Sequence, residues 1–386
     1  WMDCDTFLPT DETLIPTGEF RPVAGTPFDF NTEKTIGKDF DLSYEPMAFA
    51  GEIEIEYADV ENEIIASGED WKAAICGPVM FADIWDGEYY DATVPEPSLC
   101  PEAHEWVDAA LFTDTTCEIV PLVGPTIRPR HELLLRPISA VCHNGTIHDG
   151  SEYGEINVLS KSVGDWCEQT RLEYGESLIL DMGQNMVGRP ILMFKAPRGT
   201  KITVYFAEML NDSGDENRGN DGPKGSIYVK NYRTALARAL YVASGEDTET
   251  YYSTHTFFGF RYVELRCDKD IEIVSVKGQV IGSEIEETGT FECDHPEVNQ
   301  LYSNVVWGMR GNYFSIPTDC PQRNERLGWT GDTQVFARTA AINFDVEKFF
   351  KKWLRDLVLE QGEDGIVGLF VPYCNLDYPK KAVAAW

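Results

Sequence analysis

The hydrophobic period of this chain changes once, and that change bounds what it can fold into. Apolar and polar residues alternate in Glu52–Tyr57 (EIEIEY), Lys201–Phe206 (KITVYF), Phe260–Cys267 (FRYVELRC) and Ile271–Ile281 (IEIVSVKGQVI). A two-residue period is that of a half-buried strand. Clusters of Gly, Pro, Asn and Asp separate the runs, including the long polar stretch Asn211–Ser226, and no helical pattern intervenes. Many short strands with turn signals predict β-sandwiches. Beyond Glu286 the spacing becomes three and four. Val298, Leu301, Tyr302, Val305, Val306, Met309 and Tyr313 form one apolar stripe, and Phe349, Phe350, Trp353, Leu354, Leu357 and Val358 form another. Lys351, Lys352, Arg355 and Asp356 fall on the opposite face of the second, as in an amphipathic helix. A further helix is expected over about Thr333–Ala341.

These patterns predict an α+β multidomain chain. Two β-sandwich, jelly-roll-like domains occupy residues 1–110 and 111–286, and a helical domain occupies 287–386. Pro-rich punctuation at Val94–Pro101 marks the first boundary and the change of period near Glu286 the second. The last helices reach Trp386 with few partners for their apolar faces, so the helical domain is expected to be cut short.

Charge narrows the function. The formal net charge of the 386 residues is −33. Such a surface repels phosphate backbones, which proteins bind through Lys and Arg, so nucleic acid and anionic membranes are excluded as partners. A neutral ligand such as a sugar meets no such barrier. No run approaches the roughly 18 apolar residues of a membrane span. The start, Trp1 to Thr10, lacks both Met and a signal-peptide pattern, as expected of an internal portion or a processed product. Ten cysteines are scattered from Cys4 to Cys374 with no C-x-x-C pair, which excludes the usual zinc and redox spacings. Isolated thiols favour a reducing compartment, cytoplasmic rather than secreted. No Walker loop, dinucleotide fingerprint or nucleophile elbow is present, so no cofactor is expected.

Chemistry concentrates at Thr318–Asp332, TDCPQRNERLGWTGD. Three carboxylates (Asp319, Glu325, Asp332), two guanidiniums (Arg323, Arg326) and the Trp329 indole lie within it, and Pro321, Gly328 and Gly331 predict a folded loop between helices. Carboxylates and Arg suit vicinal hydroxyls, Trp stacks on a pyranose, and one carboxyl group can protonate a glycosidic oxygen. A salt-bridged connecting loop would share this composition. Other clusters read more simply. His131-Glu132 is not a zinc-protease signature, because Leu135 stands where the second His belongs. Asn211–Asp221 is expected to be a solvated loop rather than a calcium site, Trp85 and Glu88-Tyr89-Tyr90 core rather than a sugar platform, and Glu208 structural.

The segment Asp319–Asp332 resembles, throughout its length, the motif D-C-P-Q-R-x-E-R-L-G-W-T-G-D of the bacterial α-L-rhamnosidases of glycoside hydrolase family 78. Its flanks, TGTFECDHPEVNQLYSNVVWGMRGNYFSIP and TQVFARTAAINFDVEKFFKKWLRDL, resemble the family too, as do FADIWDGEYYDA, LDMGQNMVGRP, FAEMLND and FFGFRYVEL upstream. The likeness is good from Glu52 onward and weaker before it. It implies that residues 111–286 are the concanavalin-like domain and 287–386 the first part of an (α/α)6 catalytic barrel. It also implies inverting hydrolysis of terminal α-L-rhamnose from plant glycosides or polysaccharides. By the same resemblance Glu325 matches the general acid, and Asp319, Arg323, Trp329 and Asp332 match residues that hold the rhamnose ring. Asn324 stands where the family often has an acid, Trp386 matches an aromatic of the sugar pocket, and no residue matches the family's general base. A barrel hydrolase of another sugar and a non-catalytic carbohydrate-binding fragment are the alternatives.

Overall fold

The computed structural model describes residues 49–373, except 58–60, 75–76, 112–119, 165 and 167–169. Trp386 and the first ten residues lie outside this range. Apart from the run at Glu52, the alternating runs join one twelve-stranded sheet. Its main path runs through Thr170–Leu172, Ile271–Ser283, Ser177–Lys195, Phe258–Cys267, Lys201–Ala207, Arg238–Val242, Gly87–Asp91 and Val79–Asp83. Strand Ser177–Lys195 is the hinge of the arrangement. Its first part pairs with Ser139–Ile147 and Phe258–Cys267, and its last part with Ile271–Ser283, with an irregular register between Asp181 and Met186. The predicted strand at Glu52 closes at Ile55 and pairs with Glu63–Ala66 in a separate two-stranded sheet.

Hydrogen bonding does not part at residue 110. Strands Val79–Asp83 and Gly87–Asp91, assigned from sequence to the first sandwich, join the sheet of the second, and Gly87–Asp91 runs parallel to Arg238–Val242. Gly87 makes this junction possible. Its φ is +113° and a Cβ there would lie 1.7 Å from the Arg238 carbonyl oxygen, so only a residue without a side chain fits.

Alternation along the strands fills a common core. Leu178, Leu180, Phe194, Val204, Phe206, Phe258, Phe260, Leu265 and Ile273 are each at most 2% exposed, and the Phe206 and Phe258 rings stack with centroids 3.8 Å apart. Each such side chain stabilises the fold by about 1.5–3 kcal/mol relative to exposure. The Glu88-Tyr89-Tyr90 run belongs here, as expected. Glu88 is 3% exposed and accepts hydrogen bonds from Tyr251, Thr254 and His255, and Tyr90 stacks on Tyr241.

Among the described residues three α-helices follow: α1 (Pro296–Asn312), α2 (Thr330–Asn343) and α3 (Glu347–Glu360). Val306, Met309, Tyr313, Ala340 and Phe349 are buried against one another, with Tyr313 stacked on Phe349 at 4.6 Å. Leu301, Val335, Leu354 and Val358 from the same helices remain at least half exposed. Helix α2 starts three residues earlier than expected, so Thr330, Gly331 and Asp332 form its first turn rather than the end of a loop. Two causes are visible. The Thr330 amide and hydroxyl both bond the Leu369 carbonyl, and Asp332 places negative charge where the helix dipole favours it. Among the described residues no helix is long and apolar enough to cross a membrane.

Candidate active site

The segment between α1 and α2 is a closed loop held at its neck by Asp319. The Asp319 amide donates to the Leu327 carbonyl at 3.2 Å, and the Leu327 amide donates to Asp319 Oδ1 at 3.0 Å. Glu325 and Arg323 are thereby folded back over Asp319. Arg323 reaches Asp319 Oδ2 at 3.5 Å and grips Glu325 Oε2 through Nε at 3.0 Å and Nη2 at 2.9 Å. A second guanidinium comes from the sheet domain, where Arg233 Nη1 donates to the same Oε2 at 3.0 Å.

Behind this cluster lies Arg326, 6% exposed and with a φ of 58°. Its guanidinium donates to the carbonyls of Arg323, Ile84 and Phe257 and lies 4.9 Å from the centre of the Phe257 ring. It therefore ties the loop to the sheet domain at two distant points of the sequence. Burial pulls its pKa down to about 10, against smaller upward contributions from Cys320, Tyr232 and Asp83.

Gly328 and Trp329 form the loop's second anchor. The Val371 amide donates to the Gly328 carbonyl at 2.9 Å, and a Cβ on Gly328 would lie 2.2 Å from the Val371 oxygen. Glycine is required here for close approach of two backbones rather than for an unusual φ. The Trp329 ring packs edge-to-face on Phe370 at 5.4 Å.

Burial and the Glu325 charge raise the pKa of Asp319, opposed by hydrogen bonds from Cys320 and Leu327. Burial alone would lower that of Arg323, but Cys320, Glu325 and Asp319 together hold it above its ordinary value. Asp319, Cys320 and Glu325 offer oxygen and sulfur atoms within 4.8 Å of one another. The set suits a cation poorly. Arg323 already bridges its carboxylates, and burial next to Asp319 pushes the Cys320 thiol up to about 12, whereas a metal ligand must be a thiolate.

A cavity of ≈ 580 Å³ opens beside the loop, lined by Val305, Gly308 and Asn312 of α1, by Thr318 and Asp319, and by Asp332–Phe336 of α2. Its size suits a monosaccharide. Asp319 belongs both to this lining and to the ion-pair cluster with Arg323 and Glu325. Asp332 is exposed on the cavity wall. Of the residues singled out from the sequence, Asp319 and Asp332 line this cavity, whereas Arg323, Glu325 and Trp329, the last at the start of α2, are not among the lining residues. Two carboxylates of Asn211–Asp221 are already engaged by nearby donors. Asp221 accepts from Asn211, Val229 and Lys230, and Asp212 from Asn220 and Arg218.

Two contributors escaped sequence reasoning. Arg233 sits 92 residues before Glu325 in an aperiodic stretch. Asn324, noted only as a departure, donates to Thr234 beside it. Glu208, read from the sequence as structural, has its pKa raised by burial and accepts from Asn185 and Asn231, steadying the turn that carries Arg233. The only available signal was the charge of Arg233 in a polar stretch, which is common on any surface.

Residues 29–131 match the α-L-rhamnosidase N-terminal domain, 171–282 the bacterial α-L-rhamnosidase concanavalin-like domain, and 286–386 the bacterial α-L-rhamnosidase six-hairpin glycosidase domain. An α-L-rhamnosidase of Formosa agariphila is 34% identical over 328 residues, which are 83% of this chain and 31% of that protein. The crystal structure of Streptomyces avermitilis α-L-rhamnosidase complexed with L-rhamnose superposes with a TM-score of 0.66 at 34% identity, covering 84% of this chain and 28% of that one. A stretch of 45 residues, 11% of the chain, is also 53% identical to human galactose mutarotase, of which it covers 13%. The chain thus spans under a third of either of these two rhamnosidases. With three successive domain matches and a β-sheet region followed by the opening helices of a six-hairpin domain, the chain belongs to the bacterial α-L-rhamnosidase family.

Proposed function

We propose that this chain is the acid-bearing part of an inverting α-L-rhamnosidase that releases terminal α-L-rhamnose from plant glycosides or polysaccharides. The observation that carries the reading is the state of Glu325. Both guanidiniums hold Oε2, while among the described residues Oε1 has no hydrogen-bond partner and is not sealed from solvent. One oxygen fixes the carboxyl group and the other is available to deliver a proton. Glu325 protonates the glycosidic oxygen as the bond to the anomeric carbon breaks, and the aglycone leaves as a neutral alcohol. A water attacks the opposite face of the sugar and gives its proton to a base. Asp319 and Asp332 offer acceptors for ring hydroxyls from the cavity wall, and Arg323 joins Asp319 to the acid. Trp329, at the start of α2 and outside the cavity lining, is assigned the apolar contact with the sugar by the family resemblance alone. No residue of this chain is assigned as the base, which belongs to the remainder of the barrel. Free thiols at Cys100, Cys142, Cys267, Cys293 and Cys320 support a reducing, cytoplasmic setting.

The test uses a full-length enzyme that carries this chain. Glu325→Gln keeps the shape but has no acidic proton, so turnover of natural rhamnosides should fall by about 10²–10⁴-fold. Nitrophenyl rhamnosides should lose less, because their leaving group needs little protonation. Equal losses on both substrates, or near-normal turnover of the natural one, refute the assignment. Retention of anomeric configuration in the first-formed sugar refutes inversion.

A further inference from the structure

The β-sheet domain reaches into the ion-pair cluster through the turn that follows Lys230–Tyr232. Its three neighbours are anchored in different directions. Tyr232 is 1% exposed and its hydroxyl donates to the Gly259 carbonyl at 2.7 Å, Asn231 donates to Glu208 at 2.8 Å, and the Thr234 hydroxyl accepts from Asn324. Arg233 itself has φ 62° and ψ −110°, a conformation that costs a non-glycine residue of the order of 1–3 kcal/mol. The anchors hold this strained residue where its guanidinium meets Glu325 Oε2 at 3.0 Å, with about half of the side chain still exposed.

Arg323 alone does not fix the acid. Its Nε and Nη2 both converge on one oxygen, which leaves the carboxyl group free to swing about that point. A second donor to the same oxygen, from a separate element, removes that freedom and leaves Oε1 as the outward oxygen. Both contacts lie in the partly buried cluster, where a charge-assisted hydrogen bond is stronger than at the open surface.

We infer that Arg233 is a positioning residue for the general acid, so that the β-sheet domain completes the active site of the barrel. The inference rests on the assignment of Glu325 as acid. It concerns how that group is held and not the sugar that it acts on.

The test is a double-mutant cycle in the full-length enzyme, with natural rhamnosides as substrates. Arg233→Ala should lower kcat by about tenfold or more while KM changes less than threefold, because alignment of the acid matters most in the transition state. Arg233→Lys, which keeps one charged donor, should recover most of the lost kcat. In the Glu325→Gln background Arg233→Ala should have no further effect, within about twofold, since the group it holds no longer gives a proton. The half-exposed side chain lets the variants fold, and matched thermal unfolding of each checks this. Three results overturn the proposal: wild-type kcat in Arg233→Ala, no recovery with Arg233→Lys, or the same fold-loss in the Glu325→Gln background. Wild-type turnover by Glu325→Gln alone would instead refute the assignment of the acid, so the two failures are distinguishable.

Discussion

Replacing Arg326 by Met separates two opposing effects of one buried cation. Burial lowers its pKa from 12.5 to about 10, which corresponds to a penalty of about 3 kcal/mol on the charged form. Against this stand bonds to three carbonyls, two of them long at 3.2 and 3.3 Å. Each contributes about 1–1.5 kcal/mol, with about 1 kcal/mol more from the Phe257 ring. The favourable contributions exceed the penalty by only about 1–2 kcal/mol, and Met fills a similar volume without the charge. Arg326→Met should therefore cost about 1–2 kcal/mol in chemical unfolding of the 386-residue chain. The loss should be local. Amide exchange at Leu327 and Trp329 should speed up, while the core of strand Ser177–Lys195 keeps its protection. A loss above about 5 kcal/mol would show that desolvation has been overweighted, and unchanged exchange at Leu327 would show that Arg326 does not hold the loop.

Gly328→Ala places a Cβ 2.2 Å from the Val371 oxygen and 3.2 Å from Trp353 Nε1. It should force the two backbones apart and cost about 1–3 kcal/mol, read as a lowered melting temperature by calorimetry; an unchanged melting temperature refutes a fixed contact. His143 is 7% exposed, and burial lowers its pKa despite the nearby Glu264. As pH falls below about 6.5 the unfolded chain takes up a proton that the folded chain refuses, so stability is lost toward acid. His255 acts in the opposite sense, because Glu88 raises its pKa and its contribution is lost as pH rises through the folded value. His143→Gln removes only the first effect, and should lose less stability than the wild type between pH 7 and 5. An equal loss in both proteins refutes that account.

Three kinds of feature differ in how far they could be read from the sequence. Helices α1 and α3 were legible because Val306, Met309, Phe349 and Trp353 face a core at the spacing that the helix itself imposes. The loop residues were legible because carboxylates, guanidiniums and an indole so close together are rarely explained by packing. The start of α2 was not, because the bonds that extend it come from Leu369, more than thirty residues later. The parallel pairing of Gly87–Asp91 with Arg238–Val242 was hidden for the same reason, since period reveals a strand but not its partner.

Arg233 shows the limit of local reading most sharply. Nothing in its neighbourhood marks it as functional, because its role depends on where Tyr232 and Asn231 anchor the turn and where the Asp319–Leu327 closure presents Glu325. The two halves of the ion pair are each held by their own domain. The contact between them is therefore sensitive to how the domains dock, and Arg326 contributes to that docking through Ile84 and Phe257. Loss of Arg326 should accordingly weaken the hold of Arg233 on Glu325 although neither residue is changed. In the full-length enzyme Arg326→Met should lower kcat on natural rhamnosides, and adding Arg233→Ala should then cost less than it does alone. If the two losses simply multiply, docking and acid alignment are independent, and the loop is held by its own hydrogen bonds instead.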